Sequence, residues 1–196
     1  MAEMKRLCVY CGSSPGSSPV FAAAARELGA AIATRGIDLV YGGACVGLMN
    51  EVANAALANG GKVVGVLPRF MSSKELAHVA LTELHLVETM HQRKQMMAEL
   101  AQGFVALPGG IGTLEEIFEA LTWAQLKLHP FPCALLNVAG YYDALLRFLD
   151  DSVTAGFVRQ ELRDSLIVAN SVSELFDRLA GYRPPMTEKW FSIPVK

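Results

Sequence analysis

Short apolar runs alternate along the chain with longer segments in which apolar residues recur with the period of a helix. The short runs predict β-strands at 6–10, 37–41, 62–67, 85–88, 104–107 and 133–137. The longer segments predict helices at about 18–35, 46–59, 89–101, 113–127, 141–155 and 172–180. Several strand runs are apolar nearly throughout, which is typical of a parallel sheet with helices on both faces.

The predicted helices begin at capping signals. Ser18 stands before a proline that suits the first turn of a helix. Three further starts fit the capping box, in which two side chains satisfy otherwise unpaired backbone amides. These pairs are Thr89 with Gln92, Thr113 with Glu116, and Ser171 with Glu174.

Regular alternation of strands and helices with short turns predicts an α/β fold with a right-handed, doubly wound parallel sheet flanked by helices. We expect a single domain over 1–182 and a C-terminal tail over 183–196. The stretch 68–84 departs from the alternation because it is long and mixed in character. A segment of that kind predicts a lid beside a binding site.

Composition excludes several classes of protein. Of the 196 residues, 52% are hydrophobic and 18% charged, which is enough apolar material for a buried core. The formal net charge of -2 and the pI of about 6.1 give no basic field, so we expect no nucleic-acid partner. Neither a signal-peptide pattern nor about 18 uninterrupted apolar residues occurs, so we expect no secretion and no membrane partner.

The cysteines and histidines do not form a metal-binding pattern. Cys8 and Cys11 stand three residues apart on one predicted strand, so their side chains point to opposite faces. Reduced thiols in a cytoplasmic protein are therefore expected. The four histidines are scattered and lack the carboxylate pattern of a metal site, so we expect neither a metal nor a cofactor.

Three loops rich in glycine or serine follow predicted strands, over 11–16, 42–49 and 108–113. Ligands of open parallel sheets bind beyond the carboxyl ends of the strands, where these loops converge. Glycines let the backbone approach an anion, and a helix amino end attracts it, so the loops predict a phosphate site. The alternative is that the glycines only make tight connections between strands and helices.

The loops do not match two common phosphate motifs. A Walker loop ends in Gly-Lys-Ser/Thr, whereas Gly112 and Thr113 are followed by Leu114. A dinucleotide fingerprint requires G-x-G-x-x-G after the first strand and an acid after the second, and neither occurs. The remaining candidate ligands are a mononucleotide and a sugar phosphate.

The helix predicted from Thr89 presents Met90, Arg93 and Met97 on one face, with Lys94 beside them. An arginine on a helix that begins at the ligand edge can hold a phosphate or a purine ring, but a solvated basic face is the alternative. Glu116, on the next helix, has two interpretations as well. It is either a capping and dipole-compensating residue or a chemical group of the site.

The segment from Pro108 to Glu116, PGGIGTLEE, and the segment from Met90 to Lys94, MHQRK, together resemble the Lonely Guy family of cytokinin riboside 5′-monophosphate phosphoribohydrolases. The resemblance runs from Tyr10-Cys11-Gly12-Ser13-Ser14 to Leu136-Asn137-Val138-Ala139-Gly140-Tyr141-Tyr142, which is most of the chain. Such proteins have often been labelled lysine decarboxylases. No motif in this sequence indicates a pyridoxal-phosphate site.

The resemblance implies a Rossmann-like homodimer that hydrolyses the N-glycosidic bond of a purine nucleoside 5′-monophosphate. Its substrate is AMP or an N6-substituted AMP, and its products are the free base and ribose 5-phosphate. Arg93 and Glu116 are the implied catalytic pair. The substrate-binding candidates are the phosphate-loop residues Gly109, Gly110, Gly112 and Thr113, with Lys94, Glu115, Thr122, Met90, Ser13, Gly43 and Glu75.

A binding protein without catalysis is the alternative function. Molybdenum-cofactor carrier proteins are similar in fold, and a nucleotide sensor would use the same phosphate loops. Arg93 together with Glu116 favours the enzyme, because a carrier has no chemical need for that pair.

Overall fold

A computed structural model describes residues 4–72 and 77–184. It contains one parallel sheet in the order β4-β3-β2-β1-β5-β6-β7. The strands are β1 (Arg6–Tyr10), β2 (Asp38–Tyr41), β3 (Val63–Pro68), β4 (Glu83–Val87), β5 (Phe104–Ala106), β6 (Cys133–Leu136) and β7 (Leu166–Ala169). The predicted doubly wound α/β fold is confirmed. The last strand, β7, was not predicted.

Eight helices accompany the strands in the described part of the chain. They are α1 (Pro19–Thr34), α2 (Gly47–Ala58), α3 (Arg69–Ser72), α4 (Met90–Leu100), α5 (Ile111–Gln125), α6 (Asp143–Thr154), α7 (Gln160–Ser165) and α8 (Val172–Gly181). A short 3-10 turn, Val138–Gly140, precedes α6. None of the described helices is long and apolar enough to cross a bilayer.

The sheet separates two apolar layers, and alternate residues of each strand enter one or the other. On β1, Leu7 and Val9 pack with α1, α2 and α8, whereas Cys8 and Tyr10 pack with α4 and α5. Cys11 lies in the first layer. Cys8 and Cys11 therefore point to opposite faces, as predicted.

Three of the predicted helix starts are confirmed. Ser18, Thr89 and Ser171 are N-caps whose side chains accept a hydrogen bond from a backbone amide of the first turn. The predicted start at Thr113 is wrong, because α5 begins at Ile111 after a glycine N-cap, Gly110.

The order of the strands places the candidate site. From β1 the chain proceeds through β2, β3 and β4 to one edge of the sheet, and β5 returns to the other side of β1. The crevice at such a reversal is where open α/β sheets bind ligands. Since α4 connects edge strand β4 to β5, it crosses back over the sheet and meets α5 beside this crevice.

Candidate active site

A cavity of about 630 Å³ lies at the carboxyl ends of β1, β2 and β5. This volume is within the range of about 300–1,000 Å³ that is typical of small-molecule sites. Each of the three predicted loops contributes to its wall, so their predicted convergence is confirmed. The lining includes Cys11, Gly12 and Ser13 from the first loop, Gly42, Ala44 and Val46 from the second, and Gly110, Ile111, Gly112 and Thr113 from the third.

The loops pack against one another closely enough to exclude side chains. Gly47 has a φ of 53°, and a Cβ there would lie 2.3 Å from the backbone of Ser13. The Gly12 carbonyl accepts a hydrogen bond from the Leu48 amide, and the Gly12 amide donates to the Pro108 carbonyl. The first loop is thus bonded to both of the others.

The amino end of α5 forms part of the cavity wall. Its N-cap, Gly110, offers no side chain to the first-turn amides. These amides lack acceptors within the helix, and the helix dipole adds partial positive charge at the same place. Ile111, Gly112 and Thr113 all line the cavity, so this end of α5 is suited to an anion such as phosphate.

Arg93 and Glu116 form a buried ion pair in the wall of the same cavity. Arg93 Nη1 donates to Glu116 Oε1 at 2.8 Å, and both side chains are 10% exposed. Arg93 Nε donates to the Val66 carbonyl of β3 at 3.1 Å. These bonds use two of the five donors of a guanidinium. The solvated basic face considered for Arg93 is therefore wrong.

Glu116 does not cap its helix. It lies in the second turn of α5, and no acidic residue occupies the first turn. The capping box predicted for Thr113 and Glu116 is therefore wrong, because the helix begins two residues before Thr113. Burial raises the pKa of Glu116 above its ordinary value, although the Arg93 guanidinium acts in the opposite direction.

Lys94 and Glu115 belong to an ion cluster beside the cavity, between α4 and α5. The Lys94 ammonium pairs with Glu115 and, at 3.1 Å, with Glu119. Burial alone would lower the pKa of Lys94, but the hydrogen bonds to these carboxylates raise it above its ordinary value. The cluster joins the two helices that carry Arg93 and Glu116.

The other predicted site residues occupy different positions. Gly109 packs behind the cavity wall, where a Cβ would lie 2.1 Å from Thr113 Oγ1. Gly43, with a φ of 76°, accepts a hydrogen bond from the His78 amide. Met90 and Thr122 are exposed outside the lining, and Thr122 donates to a carbonyl of its own helix. Glu75 lies outside the described residues.

Sequence reasoning did not single out Gly42 or Met71, which both line the cavity. A Cβ on Gly42 would lie 1.8 Å from Arg93 Nη2, so only glycine lets the guanidinium lie across this loop. In the sequence, the pair Gly42-Gly43 indicates a close approach to the backbone, but this pair predicts only a phosphate loop and not the contact with Arg93. Met71 lines the cavity from α3, inside the stretch predicted as a lid.

Known proteins are similar to this chain over most of its length. A family model described as "possible lysine decarboxylase" matches residues 49–179. A cytokinin riboside 5′-monophosphate phosphoribohydrolase of Rhodococcoides fascians is 50% identical over 182 residues, covering 92% of this chain and 90% of that protein. A probable enzyme of the same name from Oryza sativa subsp. japonica is 49% identical over 184 residues, covering 94% and 75%.

The chain belongs to the Lonely Guy family. Its fold also occurs in the molybdenum cofactor carrier protein of Chlamydomonas reinhardtii, with a TM-score of 0.68. That match covers 91% of this chain and 98% of the carrier at 24% identity. At this identity the likeness concerns the fold alone. Within residues 4–72 and 77–184, no group of three His, Cys, Asp or Glu side chains is placed to hold a metal.

Proposed function

We propose that the protein hydrolyses the N-glycosidic bond of a purine nucleoside 5′-monophosphate, AMP or an N6-substituted AMP. The observation that carries the proposal is the buried pair of Arg93 and Glu116 in a cavity that also includes the uncapped amino end of α5. The names of the two curated relatives support the same reaction class.

The start of α5 binds the phosphate, and the Arg93–Glu116 pair acts on the glycosidic bond. The phosphate binds the amides at the start of α5, with Gly110, Gly112, Thr113 and Ser13 around it. Cleavage breaks the bond from ribose C1′ to the purine nitrogen, water supplies the hydroxyl on C1′, and a proton passes to the departing base. Positive charge develops on the ribose during this step, as in the cleavage of glycosides.

Glu116 provides the negative charge that such a ribose needs, and it can accept a proton from the attacking water. Arg93 fixes the carboxylate through Nη1, and its remaining donors can orient the substrate or offset charge on the departing base. Lys94 and Glu115 support this pair by joining α4 to α5.

The test is the release of free adenine from AMP by the pure protein, with adenosine as the control. Binding energy from the phosphate can assist the reacting centre, so AMP should be cleaved while adenosine is nearly inert. Equal kcat/KM values for the two compounds would contradict the phosphate site. An isopentenyl-adenosine monophosphate in the same assay tests the N6 substituent.

A nucleotide or molybdenum-cofactor carrier is the second candidate, because the fold matches such a carrier. The buried Arg93–Glu116 pair favours the enzyme, since burying two charges has a desolvation cost that binding alone does not require. Tight binding of AMP without any adenine release would favour the carrier.

We also propose a cytoplasmic homodimer. All four cysteines are thiols rather than disulfide partners, as expected for the cytoplasm. The outward face of α5 carries Ile111, which is 83% exposed, and continues to Thr122 and to Leu126, which is 46% exposed. A partner covering this face would bury both apolar side chains, and at Ile111 it would lie beside the cavity. Light scattering at micromolar concentration should give twice the monomer mass of 21.1 kDa, and a monomer would contradict the dimer.

A further inference from the structure

Two tyrosines on the loop after β6 bond, from outside the cavity, to the residue that precedes the phosphate loop and to the loop itself. The Tyr142 hydroxyl donates to the Leu107 carbonyl at 2.7 Å. The Tyr141 hydroxyl donates to the Gly109 carbonyl at 2.6 Å. Neither tyrosine lines the cavity, so neither is explained by contact with the substrate.

The loop that carries these tyrosines is held by side-chain hydrogen bonds and is locally strained. Asn137 Oδ1 accepts a hydrogen bond from the Tyr142 amide at 2.7 Å, and Asn137 Nδ2 donates to Asp143 at 2.8 Å. Ala139 has a φ of 52°, a left-handed conformation that is unfavourable for any residue with a Cβ. Strain of this kind persists only where the surrounding contacts enforce it, and it often accompanies a functional requirement.

The Tyr141 ring also connects the third loop to the first. It meets the Phe21 ring edge to face, with the centroids 5.7 Å apart. Phe21 in turn packs on Gly16, where a Cβ would lie 2.7 Å from the ring. One side chain therefore fixes the third loop through its hydroxyl and contacts the residue that supports the first loop.

The peptide between Gly109 and Gly110 needs such a constraint. Glycine on both sides removes the Cβ atoms that would otherwise restrict rotation of this peptide. In a trans peptide the carbonyl and the amide hydrogen point in opposite directions. Because the Gly109 carbonyl is bonded to Tyr141, the Gly110 amide points away from Tyr141. Gly110 lines the cavity, and a flipped peptide would direct a carbonyl rather than an amide at an anion.

We propose that Tyr141 is a positioning residue for the substrate phosphate. Its hydroxyl holds the Gly109–Gly110 peptide with the amide toward the anion, and its ring keeps this loop in register with the first loop. This inference rests on the proposed binding of the phosphate at the start of α5.

The test compares Tyr141→Phe with wild type, because this change removes one hydroxyl and keeps the ring against Phe21. The control is Tyr182→Phe, which removes a hydroxyl just beyond α8, at the end of the sheet where β1 and β2 begin, whereas the phosphate loop is at the carboxyl ends of the strands. Calorimetry with ribose 5-phosphate measures the phosphate site without turnover. Kinetics with AMP and adenosine then separate an effect on the phosphate from a general loss of active protein.

Tyr141→Phe should weaken ribose 5-phosphate binding and raise KM for AMP by about two- to tenfold, the range that one neutral hydrogen bond supplies. The kcat for AMP should change less, and kcat/KM for adenosine should not change, because adenosine has no phosphate. Partial unfolding would lower kcat/KM for both compounds equally, so their ratio remains informative.

Each outcome of these measurements is decisive. If wild type binds ribose 5-phosphate and Tyr141→Phe binds it equally well, the positioning role is wrong and the proposed function stands. If wild type does not bind ribose 5-phosphate, the phosphate site of the proposed function is itself wrong, and the role of Tyr141 is overturned with it.

Discussion

Replacing Glu116 by glutamine separates the chemistry of this residue from its structural contribution. Glutamine keeps the size of the side chain, and its amide oxygen can still accept the bond from Arg93 Nη1 that now measures 2.8 Å. No cap is lost, because the N-cap of α5 is Gly110. The substitution therefore removes one negative charge from the wall of the cavity and little else.

The effect on turnover should be large and the effect on stability small. Loss of one group that stabilises charge in the transition state typically lowers kcat by about 10²–10³-fold. AMP should still bind, because the amides at the start of α5 are unchanged. By contrast, Glu116→Ala leaves Arg93 without its partner, and breaking a buried pair in this way costs about 3–5 kcal/mol.

The raised pKa of Glu116 also predicts the direction in which the stability difference between Glu116→Gln and wild type changes with pH. Burial raises the pKa of Glu116 in the folded protein, so its contribution to stability is complete below the unfolded pKa and is lost as the pH rises through the folded pKa. Glutamine does not titrate. The melting temperature of Glu116→Gln relative to wild type should therefore rise as the pH increases from the ordinary pKa of a glutamate through the raised pKa of folded Glu116.

Adenine release, AMP affinity and thermal melting should be measured on one preparation of each protein. Glu99→Gln is the matched control, since it removes one charge from an exposed position of α4. Near-normal turnover by a well-folded Glu116→Gln would refute the catalytic assignment, and Glu115 or Glu75 would then be the next candidates. A melting difference that falls with pH would refute the inferred direction of the pKa.

Two further substitutions test the geometry. Gly42→Ala introduces a Cβ 1.8 Å from Arg93 Nη2, so adenine release should fall at least tenfold while Gly181→Ala, which meets no atom within 4 Å, keeps wild-type activity. Ala139→Gly relieves a left-handed residue and should stabilise by about 0.5–1 kcal/mol, after the entropy cost of glycine. Ala23→Gly, at an exposed position of α1, should instead destabilise by about 1 kcal/mol in the same thermal melts. Equal loss of stability in both glycine variants would contradict the strain at Ala139.

Most of the fold could be predicted from the sequence, because each of the first six strands is a separate apolar run. The seventh strand could not, since Leu166 begins β7 directly after Ser165 ends α7. No glycine, proline or turn separates the two elements, and neither α7 nor β7 was predicted. The start of α5 was misplaced because Thr113 and Glu116 have the spacing of a capping box, although the helix begins earlier and includes Gly112.

The loops of the site followed from the topology, whereas the pairing of Arg93 with Glu116 did not. The carboxyl ends of parallel strands must meet at one edge, so three glycine loops there predict a common cavity. The ion pair depends instead on the path of α4 from the edge strand β4 back across the sheet. That path brings Arg93 to the Val66 carbonyl of β3 and to Glu116 of α5. Periodicity places both residues on helices but does not show that they meet.

The corrected start of α5 changes what Glu116 implies about the protein. A carboxylate in the first turn would stabilise the helix and would need no further explanation. In the second turn Glu116 is buried, and its raised pKa means that folding disfavours its charge despite Arg93. A well-packed apolar pair of similar size is often as stable as a buried ion pair, or more so. Since fold stability gives little reason to keep a charge here, and the charge borders a cavity suited to phosphate, chemistry on a bound substrate is the better explanation of this residue.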